Sequence, residues 1–162
     1  MKINYVTGDA TEPIGSGNKI IVHICNDIGG WGAGFVLAIS RRWKGPETQY
    51  RNLRRTGGYE LGTIQMIQVG SDLWIANMIA QHGIRPMNGI PPIRYPSLER
   101  CLGLVSLQAQ ELLASVHMPR IGCGLAGGSW DRVEEIVTRA LDDIPVTVYD
   151  LDIATRITRS GN

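Results

Sequence analysis

Eight of the chain's 20 glycines stand in two short loops, Gly29-Gly30-Trp31-Gly32-Ala33-Gly34 and Gly122-Cys123-Gly124-Leu125-Ala126-Gly127-Gly128. Each loop follows a run of strand character and leads into a run of helical spacing. Glycine lets the backbone take φ > 0 and lets N–H groups come close to a ligand, and a helix start adds positive partial charge. In open α/β sheets ligands bind beyond the carboxyl ends of the strands, so two such loops on neighbouring parallel strands would grip a diphosphate from both sides. The alternative, tight turns that only start helices, is weaker for two equivalent loops than for one.

The pattern around the loops is that of a sheet covered by helices. Residues 2–6 and 19–25 read as strands, the second apolar almost throughout and so expected to be buried on both faces. From Ala33 the spacing of Val36, Ile39 and Trp43 predicts a helix, and a second follows with Pro46 in its first turn and Gly57-Gly58 at its end. Residues 62–69 and 73–80, joined by Gly70-Ser71-Asp72, read as a hairpin. After a proline-rich loop from Pro86 to Pro96, Ser97 is expected to cap a helix carrying Leu98, Cys101, Leu102, Val105, Ala109 and Leu112. Residues 116–121 return to strand, Ser129 caps a last helix bearing Val133, Ile136, Val137, Ala140 and Leu141, and 146–150 close as a strand. Strands alternating with helices at both ends, with a hairpin between, predict a three-layer α/β/α fold around a central mixed, mostly parallel sheet.

A length of 162 residues without repeat, low-complexity segment or linker predicts one domain over 1–151 and a C-terminal tail over 152–162. A monomer is expected. The net charge of +1 predicts no strong nonspecific affinity for nucleic acid, so a bound anion must be held by local geometry. The start lacks the apolar core of a signal peptide and no run approaches a membrane span, which predicts a cytoplasmic protein with no membrane partner. Cys25, Cys101 and Cys123 are odd in number and widely spaced, and His23, His82 and His117 never fall at i, i+4. Neither a disulfide framework nor a metal site is expected. Gly122-x-Gly124-x-x-Gly127 matches the dinucleotide fingerprint in letters, but only 35 residues follow it, enough for one helix and one strand. A nicotinamide oxidoreductase is therefore not expected, and no cofactor is predicted.

Taken together, several segments resemble the macrodomain family of ADP-ribose-binding modules: Gly8-Asp9-Ala10-Thr11, His23-Ile24-Cys25-Asn26 leading into Gly32-Ala33-Gly34, and Met118-Pro119-Arg120-Ile121-Gly122-Cys123-Gly124-Leu125 before Trp130. Their order and spacing cover nearly the whole chain. The last is most similar to the branch of terminal ADP-ribose glycohydrolases and yeast-type ADP-ribose 1''-phosphate phosphatases. The resemblance implies that Asp9, beside Ala10, accepts a hydrogen bond from the adenine amine and that Asn26 faces the distal ribose. It implies that backbone N–H groups of Gly32, Ala33, Gly34, Phe35 and Val36, and of Gly122, Cys123, Gly124, Leu125, Ala126 and Gly127, hold the diphosphate. The end of the last strand, Tyr149, Asp150 and Leu151, falls where the adenine pocket closes, although strand alternation lets only some of them face it, and Arg120 of the third matching segment is expected among the ligand-binding residues. Trp31 either covers the distal ribose or packs on its own helix.

Some glycohydrolases of this branch use a lysine nucleophile and an aspartate in the second glycine loop. Here Ala126 stands at the aspartate's place and Gln81-His82 near the lysine's, so a lysyl adduct is not expected. Two routes remain: the substrate's diphosphate activates a water held by Asn26 and the loops, or His82 or Asp27 serves as general base. The implied activity is hydrolytic removal of ADP-ribose from protein or nucleic acid, or processing of distal-ribose derivatives. The alternative is a non-catalytic reader of ADP-ribose marks.

Overall fold

The computed structural model describes residues 2–152. Of the expected tail, only Asp152 belongs to the described residues. Six strands form one sheet: β1 (Asn4–Thr7), β2 (Lys19–Asn26), β3 (Ile64–Gly70), β4 (Leu73–Gln81), β5 (Ser115–Met118) and β6 (Val146–Asp150). Their order is β1-β6-β5-β2-β4-β3, parallel throughout except for the β3–β4 hairpin at one edge. Helices α1 (Phe35–Arg42) and α2 (Gly45–Thr56) cover one face, and α3 (Tyr95–Leu112) and α4 (Trp130–Ala140) the other. The sheet is mixed and mostly parallel, as the alternation of the sequence predicts.

Strand β2 explains the layering. Successive side chains of a strand point to opposite faces. Ile21 and Cys25 pack with Val36, Ile39 and Tyr50 under α1 and α2, whereas Ile20 and Val22 pack with Leu98, Leu102, Val133 and Val137 under α3 and α4. Both sets are buried, which is why β2 needs an almost unbroken apolar run. With β4 on one side and β5 on the other, β2 occupies the middle of the parallel sheet.

Local departures from expectation have local causes. Gly34, at φ 84°, is the residue before α1, so the helix begins at Phe35 rather than Ala33, and extended Trp43 ends it. Helix α3 begins at Tyr95 with Pro96 in its first turn, which puts Ser97 inside the helix and buried rather than capping it. Ser129 holds the expected position before α4, but its side chain makes no capping bond; its N–H donates to the Tyr95 hydroxyl at 3.0 Å. Strand β5 stops at Met118 because Pro119 has no N–H for the ladder. Among the described residues no helix is long and apolar enough to cross a membrane.

Candidate functional site

Both glycine loops leave the carboxyl ends of central parallel strands, the first after β2 and the second after β5. A cleft of about 840 Å³ opens between them, within the range of small-molecule sites. Asn26, Trp31, Gly32, Ala33, Gly34, Phe35 and Val36 line one wall, and Arg120, Gly122, Gly124, Leu125 and Ala126 the other. A shallower depression of about 490 Å³ lies on α4, lined by Glu134, Glu135, Thr138, Arg139 and Asp142, away from both loops.

The glycines divide into two kinds. Gly122 has φ 77°, and a Cβ there would lie 2.5 Å from Ile93 Cδ1. Gly127 has φ 72°, backs onto Pro91, and gives its N–H to the Gly124 carbonyl at 3.0 Å. These two build the turn. By contrast, a Cβ on Gly32 or Gly124 would meet nothing within 4 Å. The N–H groups of Gly32, Ala33, Gly124 and Leu125 border the cleft and donate to no acceptor among the described residues. Gly127 was expected to hold diphosphate, but its N–H is already used inside the turn and it does not border the cleft.

Asn26, which lines the cleft, also holds the first loop together. It is 8% exposed, and its Oδ1 accepts from Ile28 N at 3.1 Å, Gly30 N at 2.9 Å and the Tyr50 hydroxyl at 2.9 Å. Its Nδ2 donates to the Gly30 carbonyl at 2.9 Å. The amide thus folds the first loop around itself, leaving one of its two Nδ2 hydrogens unused among the described residues. Trp31 is no exposed cover. It is 4% exposed, with its indole N–H donating to Ser40 Oγ at 2.7 Å and its ring perpendicular to His23 at 5.4 Å, so it is a wall of the cleft anchored on α1.

Asp27 and His82 lie just beyond the paired ends of β2 and β4. His82 Nδ1 sits 2.7 Å from Asp27 Oδ2, and Asp27 Oδ1 accepts from Gly83 N at 2.8 Å. The carboxylate fixes the ring, and Nε2 has no partner among the described residues. Neither residue lines the cleft, although their neighbours Asn26, Gln81 and Ile84 do. The dyad stands at its rim.

At the other end, Asp9 closes a turn through Thr11, whose N and Oγ1 donate to Oδ1 at 2.8 and 2.7 Å. Asp9, buried Ala10, Cys123 and Asp150 do not border the cleft. Asp150 receives Arg120 bidentately at 2.7 and 3.0 Å, and the guanidinium lies 5.2 and 5.3 Å from the Tyr5 and Trp130 ring centres. Arg120 is therefore held at the cleft edge by Asp150 and the two rings. Strand alternation turns Tyr149 inward, where its hydroxyl meets Ile14 N and His117.

Sequence reasoning missed Arg51, Gln81, Ile84 and His23, all of which line the cleft. Arg51 comes from α2, held by Glu47 at 2.8 Å, and only the packing of that helix brings it near. His23 is buried and bonded to Asn77 at 2.6 Å; burial lowers its pKa to about 4, so it is neutral and no phosphate-binding cation. The Cys25 thiol, also at the base, is pushed well above its ordinary range by burial and is no nucleophile. Among the described residues no cluster of three His, Cys, Asp or Glu side chains could hold a metal ion.

A parallel-centred α/β/α domain with two glycine loops facing one cleft defines a nucleotide-binding class of fold. Comparison with known proteins narrows the class. A macrodomain protein from Streptomyces coelicolor is 52% identical and superposes with a TM-score of 0.81 over 92% of this chain and 99% of that one. The chain belongs to the macrodomain family. Mouse chromodomain-helicase-DNA-binding protein 1-like is 33% identical over 159 residues, which are 91% of this chain and 17% of that much longer protein. The ADP-ribose 1''-phosphate phosphatase of Lodderomyces elongisporus is 26% identical over 161 residues, 94% of this chain and 100% of that protein. No family model matches.

Proposed function

We propose that the chain binds ADP-ribose in the cleft and hydrolyses a bond at the distal ribose, releasing ADP-ribose from a modified protein or nucleic acid. The observation that carries the reading is the pair of loops with cleft-facing positions 32–34 and 124–125, whose N–H groups can receive a diphosphate without a basic patch. The relative that acts on ADP-ribose 1''-phosphate supports the ligand and a hydrolytic reaction. We assign residues 2–151 to this one domain. The adenine end would lie toward Arg120, Asp150 and Asp9, and the distal ribose toward Asn26 and the Asp27–His82 dyad.

In this reading Gly32, Ala33, Gly124 and Leu125 hold the diphosphate and the remaining Asn26 N–H meets the distal ribose. His82 Nε2 takes a proton from the water that bonds to C1'', while the bond from C1'' to the acceptor breaks with its electron pair going to the acceptor; the His82 proton then passes through solvent to the departed acceptor, which returns the imidazole to its neutral form. Charge develops on the ribose ring rather than on the protein, so positioning contributes most of the acceleration. A lysyl adduct has no place here, because neither Ala126 nor Gln81 supplies the chemistry. Incubation with a mono-ADP-ribosylated protein tests the proposal: free ADP-ribose must appear with enzyme concentration. Retained binding without release would assign the domain as a reader.

A further inference from the structure

The net charge of +1 conceals a segregation. Residues 35–56 hold six of the 16 basic residues, Arg41, Arg42, Lys44, Arg51, Arg54 and Arg55, against the single acidic Glu47. All six are exposed. Lys44, the residue before α2, and Arg51 and Arg55 on it recur at i, i+7 and i+11, one solvent face, with Arg54 beside them. The inward face is anchored by buried Pro46 and Tyr50. This stripe runs into the cleft: Arg51 lines it, and the Arg54 guanidinium lies against the Gly29 turn, 2.7 Å from where a Cβ would stand.

We infer that the outer face of α2 is a docking track for the phosphate backbone of a nucleic-acid strand that presents its ADP-ribosyl group to the cleft. The inference rests on the ADP-ribose reading of that cleft and adds the class of acceptor. Between the cations, the exposed side chains are Thr48, Gln49 and Asn52. Guanidinium, ammonium, hydroxyl and amide groups are the side chains that contact phosphate and sugar oxygens. The exposed positions of α2 offer no apolar or aromatic residue, whereas a protein partner would be anchored by such side chains. Two of the six cations already have carboxylate partners, Arg42 with Glu12 and Arg51 with Glu47. The track is therefore short, and its binding weak and salt-sensitive. That agrees with the absence of strong nonspecific affinity expected from the net charge.

Fluorescence anisotropy with a labelled, unmodified single-stranded DNA of about 20 nucleotides tests the track without the ADP-ribose site. Binding is expected at low salt, with a slope of log K against log salt of about −3, corresponding to roughly four phosphates. Lys44→Glu/Arg55→Glu, at positions outside the cleft, should weaken binding at least tenfold (an order-of-magnitude figure) and reduce the slope to about half. Its ADP-ribose binding by calorimetry and its Tm should be unchanged. Lys44→Gln/Arg55→Gln should shift affinity in the same direction by less, a check against any folding defect of the reversed charges. No binding by the wild type at low salt, or equal binding by the variants, overturns the track. Equal competition by a polyglutamate peptide would assign it to acidic peptides and overturn the strand. Failure of ADP-ribose itself to bind would overturn the cleft reading while leaving the DNA measurement readable.

Discussion

The Tyr50 hydroxyl lies 2.7 Å from the Asn26 backbone carbonyl and 2.9 Å from its side-chain oxygen, tying α2 to the end of β2 where the first glycine loop begins. Tyr50 is fully buried and stacks obliquely between Trp31 and Tyr59, so this bond forms away from water. Burial also raises its hydroxyl pKa, which keeps it a donor at any physiological pH.

Tyr50→Phe keeps the ring and removes the donor. It should cost about 1–3 kcal/mol of stability, because the Asn26 oxygens lose a buried partner. Urea denaturation should show the midpoint falling with an unchanged slope.

Asn26→Ala removes the amide around which residues 28–30 fold. ADP-ribose affinity and turnover should fall together, each roughly tenfold or more, alongside a lower Tm. A loss confined to turnover would instead give Asn26 a catalytic part at the distal ribose beyond its support of the loop.

Glycines 32 and 124 separate binding from folding. Neither has a positive φ, and a Cβ on either meets no neighbour, so Gly32→Ala and Gly124→Ala should keep the Tm within a few degrees while weakening ADP-ribose binding. Gly122→Ala should instead lower stability by about 1–3 kcal/mol, since alanine is strained at that φ and its Cβ meets Ile93. Thermal melts paired with titrations distinguish the two classes.

The dyad carries a kinetic prediction. Asp27→Asn leaves the shape of the rim but removes the carboxylate that orients His82. Single-turnover release of ADP-ribose should slow by about 10²-fold with little change in ADP-ribose affinity. An unchanged rate would favour activation of water by the substrate's own diphosphate.

Stability should depend on pH through two buried histidines. Burial lowers both His23 and His117 from 6.5 to about 4; the Lys19 ammonium adds to the effect at His117, and the Asn77 bond opposes it at His23. Between pH 4 and 6.5 the unfolded chain binds more protons than the folded one. The stability held by the neutral rings is complete above about pH 6.5 and is lost as pH falls toward 4, by on the order of 3 kcal/mol per ring. Chemical denaturation at pH 7, 6 and 5 should show a progressive fall.

The fold was legible because its determinants are local. The apolar run 19–25 demanded a strand covered on both faces, and the hairpin turn at 70–72 announced the antiparallel edge. Strand order was not legible: nothing in the residues of β1 says that it pairs with β6. The cleft was legible where chemistry follows chain order, as in the glycine loops. It was not legible where contact depends on tertiary packing: Asp27 and His82 meet across 55 residues, and Arg51 arrives on a helix whose sequence marks it only as basic. Asn26 was legible only in part for a related reason. A loop asparagine offers the same groups to a ribose and to its own backbone, and only the positions of Gly30 and Tyr50 show how many of them the loop itself takes up.

Calorimetric titration of the wild-type protein and Gly124→Ala with ADP-ribose tests the central claim most directly. Wild type should bind one equivalent with micromolar affinity, and Gly124→Ala, equally folded, should bind markedly more weakly. No heat from the wild type at high-micromolar ADP-ribose, or identical isotherms for the two proteins, would contradict a cleft in which the glycine loops grip the diphosphate.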